Sequence, residues 1–154
     1  DGIIQENTQP VYDEGTMLAD MLGVVTIDKI SLRSPILAGD SAANLDLGIC
    51  VLKGSPEMGK LGNYILAGHK SRIYGRHFSR LSELVAGDIV NLSNGIETFK
   101  YQVVDKLHVT ADDVWVLENT PDESLLTLIT CDYTQKPIGR LIVRAKPVTA
   151  VAQG

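Results

Sequence analysis

"LLTLITCDYT", Leu125–Thr134, is the stretch whose reading decides the fold. Leu125 to Thr130 is apolar and β-branched, with no glycine, proline or charge, so it reads as a buried strand. A cysteine closes the run and an acidic, polar segment follows. Side chains at the exit of a barrel strand stand where loops build sites, which sets Cys131 apart from a cysteine in mid-strand.

Similar runs lie on both sides of this strand. "GVVTIDKISLRSPIL" (23–37), "LGICVLKG" (47–54), "NYILAGHK" (63–70), "DIVNLS" (88–93), "ETFKYQVVDKLHV" (97–109) and "RLIVRAKPV" (140–148) are rich in Val, Ile, Thr and Tyr. The turn signals "SNG", "TPDE" and "QKPIG" separate the later ones. Seven or eight short strands with few helices predict a mainly β chain, closed or nearly closed into a barrel. "RHFSRLSELVAG" (76–87) reads as the main helix, with Phe78, Leu81, Leu84 and Val85 on one face and Gly87 as its stop. Residues 1–15 read as a loosely ordered arm. "TMLADML" (16–22) reads as a helical turn capped by Thr16, and the domain boundary is placed after residue 22.

The totals narrow the class. The chain has 154 residues, enough for one domain with a real core, and a net charge of −5. That charge, scattered Lys and Arg, and 5% aromatic residues argue against nucleic acid as a partner. No run reaches the ~18 apolar residues of a membrane span. The two cysteines, Cys50 and Cys131, allow at most one disulfide, and the three histidines lack metal-ligand spacing.

A thiol attacks as thiolate and, with an unperturbed pKa of about 8.5, needs a neighbouring base or cation. His69, after Gly68 at the end of a β-rich run, is the candidate base; on position alone a solvated turn residue is the commoner reading. His77, in the helix candidate, and His108, inside a long strand, are weaker. Arg140 opens the strand after Cys131, so a hairpin would return its guanidinium towards the thiol, where it suits an oxyanion. Arg144 shares its face but lies about 13 Å further on, at ~3.3 Å per residue. Each residue also has a plain reading: Cys131 as a small core hydrophobe, Arg140 as a surface arginine.

Together, "TLITC" (127–131), "LAGH" (66–69) and an arginine nine positions after the cysteine resemble the sortases, cysteine transpeptidases of Gram-positive cell surfaces. The resemblance covers roughly residues 23–148. It implies an eight-stranded sortase-type β-barrel and a catalytic set of Cys131 as nucleophile, His69 as acid or base, and Arg140 at the oxyanion, helped by Thr130. It implies a substrate groove lined by Ala67, Val109, Ala111, Val114, Val116 and Ile129, whose plain reading is ordinary core. The substrates implied are surface proteins carrying a C-terminal signal resembling Leu-Pro-x-Thr-Gly, cleaved after Thr and joined to a cell-wall precursor amine. The place implied is the outer face of the cell membrane, with an N-terminal tether helix upstream of Asp1 and a soluble ectodomain following it.

No cofactor is expected. Calcium-binding members use acids before the His-bearing strand, whereas "LKGSPEMGKLGN" carries only Glu57, too few oxygens for a hard cation. Cys50 is expected reduced and buried. The compact Cys-to-Arg spacing, no proline after "TC" and no Asp-Pro-aromatic lid resemble class A more than pilin-type class C; a specialised class D or pilin-type enzyme is the alternative. A papain-like hydrolase is disfavoured because His precedes Cys. A binding barrel with an inert thiol is the reading from a different class.

Overall fold

The computed structural model describes residues 21–70 and 76–148. Eight strands close into one barrel: β1 (Met21–Ile27), β2 (Leu32–Ala38), β3 (Ile49–Val51), β4 (Gly62–Ala67), β5 (Ile89–Ser93), β6 (Thr98–Val109), β7 (Ser124–Asp132) and β8 (Gly139–Pro147). Their order around the barrel is β1-β2-β3-β4-β7-β8-β6-β5, with β5 returning to β1. The pairs β2–β3 and β4–β7 are parallel and the rest antiparallel. Among the described residues the one α-helix, α1 (Ala42–Leu47), bridges β2 and β3.

Period-two alternation sorts the two faces of the central strands. Tyr64 and Leu66 of β4, Leu126 and Leu128 of β7, and Leu141, Val143 and Ala145 of β8 fill the barrel. Ile129 and Ile142 face outward into a second, smaller cluster with Val109, Val116, Leu107 and Leu117. The segment after β6, including a 3₁₀ turn at Val114–Leu117, covers that outer face. Cys131 shares the face of Ile129, so its side chain lies outside the barrel.

Two buried polar side chains hold the cover down. Thr127 donates to Asn63 Oδ1 at 2.6 Å, and Asn63 Nδ2 donates to the carbonyls of Val116 and Glu118 at 3.1 and 3.0 Å. A carboxamide accepts on one side and donates on the other, so it can tie a strand hydroxyl to a loop backbone with every atom satisfied.

Three readings of the sequence need correction. The helix expected over 76–87 is a series of tight turns with one 3₁₀ segment, Leu81–Glu83. His77 has φ +52°, which no right-handed helix accommodates, and the bonds Leu81 N→Phe78 O and Leu84 N→Leu81 O span three residues. Period three aligns Phe78, Leu81 and Leu84, all fully buried, and turns Val85 out to solvent. The helix that does form, α1, was not read from the sequence. Its signals are a Ser41 cap accepting from Asn44 N at 3.1 Å and a stop at Gly48, around only six residues. Finally, Met21 and Leu22 are extended in β1 rather than helical; the rest of the 1–20 arm and turn lies outside the described residues.

Replacing Asn63 by Ala leaves the Thr127 hydroxyl and two carbonyls without their partner. At about 1–3 kcal/mol per buried unsatisfied group, partly relieved by water, we expect Asn63→Ala to lose about 2–4 kcal/mol of stability in urea unfolding. A loss below about 1 kcal/mol would show that the cover is held by apolar contacts alone.

Candidate active site

Where β4, β7 and β8 run side by side, their ends meet at an open cavity of about 420 Å³. His69, Cys131 and Arg140 all line it. β7 brings Cys131, and the β7–β8 hairpin sets Arg140 directly across from it as its Cα partner. Register thus brings together residues nine apart. Arg140 donates from Nη1 to the Gly139 carbonyl at 3.0 Å and forms no ion pair among the described residues.

His69 arrives from β4, which pairs with β7 in parallel. The last ladder bond is Gly68 N→Ile129 O at 3.1 Å, and the His69 carbonyl then accepts from Phe78 N at 3.0 Å. Gly68 is required for packing: a Cβ there would lie 2.6 Å from Ile49 Cδ1 and from Phe78 Cδ2. The His69 side chain is half exposed, 3.9 Å from Asp46 Oδ1 of α1. Its ring centroid lies 6.3 Å from that of His77, edge to face.

Every predicted groove residue, Ala67, Val109, Ala111, Val114, Val116 and Ile129, lines the cavity, as does Thr130. Thr130 is buried, and its hydroxyl has no hydrogen-bond partner among the described residues. The sequence reading missed Asp40, Leu45, Leu52, Thr110, Asp113 and Leu117. Asp40 and Leu45 enter through α1 and the loop before it. Thr110 and Asp113 form a local turn in which Asp113 Oδ2 accepts from Thr110 N at 2.8 Å and Oγ1 at 3.0 Å. That pattern, a threonine three residues before an aspartate, was legible as a turn signal.

The other candidates go elsewhere. Arg144 is committed to Asp105 through two hydrogen bonds of 2.9 and 2.5 Å, lies 5.7 Å from the Trp115 ring centroid, and stands opposite Thr127 rather than Cys131. His108 pairs through Nδ1 with Asp132 Oδ2 at 2.7 Å. Cys50 is a free thiol, fully buried; burial, with a smaller push from Asp40, raises it to about 11. Cys131 is also free and only partly buried. Burial, then the charges of Arg76 and His69, lower His77 to about 4. No helix among the described residues is long and apolar enough to cross a membrane.

The sortase-domain family profile matches residues 25–148. The chain is 35% identical over 123 residues to sortase A of Bacillus anthracis, a match covering 80% of this chain and 58% of that protein. It is 30% identical over 130 residues to sortase D of Bacillus subtilis, covering 82% and 64%. The crystal structure of Listeria monocytogenes sortase A superimposes with a TM-score of 0.78 at 26% identity, covering 84% of this chain and 88% of that one. The chain belongs to the sortase family. It spans between half and two-thirds of the length of these two sequence relatives.

Two outcomes follow from this geometry. Since His77 is held neutral when folded but protonates near 6.5 when unfolded, the unfolded chain binds the extra proton between pH 6.5 and 4. Stability should fall as pH drops through that window, and His77→Gln should flatten the decline in thermal melts; an unchanged slope would contradict a partly buried, neutral His77. Gly68→Ala should displace His69 and shift its imidazole NMR signals with the barrel still folded by circular dichroism; unshifted His69 signals would show that Phe78 can yield.

Proposed function

We propose that this protein is a cysteine transpeptidase that cuts a Leu-Pro-x-Thr-Gly-like signal after Thr and passes the acyl group to an amine. The reading is carried by one observation: His69, Cys131 and Arg140 line a single cavity whose remaining wall is largely apolar. The Cys131 thiolate attacks the Thr carbonyl, and the oxyanion that forms is met by the Arg140 guanidinium. His69 protonates the departing amine, leaving a thioester on Cys131. An incoming amine then attacks the thioester, His69 takes up its proton, and the thiolate is released. Keeping the acyl group as a thioester retains enough free energy to remake an amide bond without ATP.

The apolar wall formed by Ala67, Val109, Ala111, Val114, Val116 and Ile129 suits a proline-kinked, aliphatic peptide recognised by shape. The proposed partners are surface proteins bearing such a signal and a cell-wall precursor amine, and the proposed place is the outer face of a Gram-positive membrane, with the described barrel as the catalytic domain. A barrel with an inert thiol is disfavoured by the partly exposed Cys131 in an open cavity. Similarity to sortases of both class A and class D keeps class A as our reading and class D as its alternative.

Incubated with a Leu-Pro-x-Thr-Gly peptide and an amine acceptor, the protein should yield the ligated product by mass spectrometry. Cys131→Ala should abolish it and Cys50→Ala should retain most of it. His69→Ala and Arg140→Ala should each cost at least ~10²-fold in rate, while Arg144→Ala should cost far less. Turnover retained in Cys131→Ala would end the assignment.

A further inference from the structure

Directly after the cysteine lies a charged side chain that the proposed reaction does not use. Asp132 is the last residue of β7 and is only 5% exposed. Its Oδ1 accepts from Thr134 N at 3.0 Å and Thr134 Oγ1 at 2.5 Å. Its Oδ2 meets His108 Nδ1 at 2.7 Å and accepts from Gln135 Nε2 at 3.0 Å. Gln135 Nε2 also donates to the Val109 carbonyl at 3.0 Å. The His108 hydrogen bond, followed by those of Thr134 and Gln135, holds the carboxyl well below the usual carboxylate range, so it stays ionised.

This carboxylate joins three pieces: the end of β6 through His108, the end of β7 where it sits, and the turn leading into β8 through Thr134 and Gln135. Each piece delivers part of the cavity. β6 ends in Val109, where the apolar wall begins; β7 carries Cys131 one residue before its end; the turn leads to Arg140 at the start of β8. Gly139, between that turn and Arg140, leaves room for the link. A Cβ there would lie 2.2 Å from Gln135 Nε2 and 2.5 Å from the Val109 oxygen. A bulkier residue at 139 and the Gln135–Val109 bond therefore exclude one another.

We propose that Asp132 and Gln135 are positioning residues: by clamping the β7–β8 turn to the end of β6, they set where the Arg140 guanidinium stands relative to the Cys131 sulfur. The inference rests on the transpeptidase reading only for its consequence in turnover; the placement of Arg140 is testable without it. A two-point hydrogen-bonded anchor on an ionised group fixes direction as well as distance, and a guanidinium that must meet a developing oxyanion is sensitive to both.

The test uses Gln135→Ala and Gly139→Ala, which loosen or wedge the clamp without leaving a buried charge unpaired. Cys131 alkylation is followed with iodoacetate and with iodoacetamide. The two reagents differ in charge, so the ratio of their rates reads how closely a cation faces the sulfur, with Arg140→Ala as the floor. Both variants should lower the ratio at least ~3-fold towards that floor, while the iodoacetamide rate stays within about 2-fold of wild type. Peptide turnover should fall at least ~10-fold, chiefly in kcat. Combining Gln135→Ala with Arg140→Lys should cost less than the sum of the two. A wild-type ratio in both variants overturns the proposal, as does a loss of both alkylation rates in parallel with melting temperature, which would mark a purely structural clamp. If the ratio responds while the wild type turns over no peptide, the transpeptidase reading fails and the positioning role stands.

Discussion

The parallel pairing of β4 with β7 is the constraint on which the site depends. Antiparallel neighbours can be joined by a tight turn, but a parallel pair needs a long crossover, here the whole of residues 68–123. That crossover carries β5, β6 and the cover over the outer face. The ladder ends in one bond, from Gly68 N–H to the Ile129 carbonyl, and His69 is the next residue. Shifting the register by one residue would turn Ile129 and Cys131 into the barrel and Leu128 out of it. The interior packing of Leu66, Leu126 and Leu128 therefore fixes the thiol's orientation as firmly as any contact the thiol makes.

The cover is held by a different kind of force. Apolar contact among Val109, Val116 and Ile142 draws it onto the sheet without specifying direction. Asn63 and Thr127 supply the direction, because a buried carboxamide tolerates few arrangements that satisfy both its ends. Packing and polar satisfaction thus divide the work of shaping the groove.

Much of this was legible in the residues. The strands announce themselves through β-branched runs and turn residues, and the "LLTLITC" run brings Arg140 across from Cys131 once a hairpin is assumed. The groove residues follow from a resemblance, and the cavity contains all of them. What was not legible depends on tertiary context. Phe78, Leu81 and Leu84 fit a helical face and a period-three turn equally well, and only the positive φ of His77 decides between them. α1 is too short for periodicity to register, so Asp46 was invisible as a neighbour of His69 and Leu45 as part of the cavity wall. His108 looked like a stray strand histidine because its partner, Asp132, is twenty-four residues away.

The contrast between the two cysteines has a practical consequence. One sulfur is fully buried and held largely un-ionised at neutral pH; the other is partly exposed at a cavity that an imidazole also lines. A fluorescent haloacetamide added to the folded protein would therefore label a single atom per molecule. Stoichiometry of dye incorporation would count competent molecules directly, giving an internal concentration standard built into the chain.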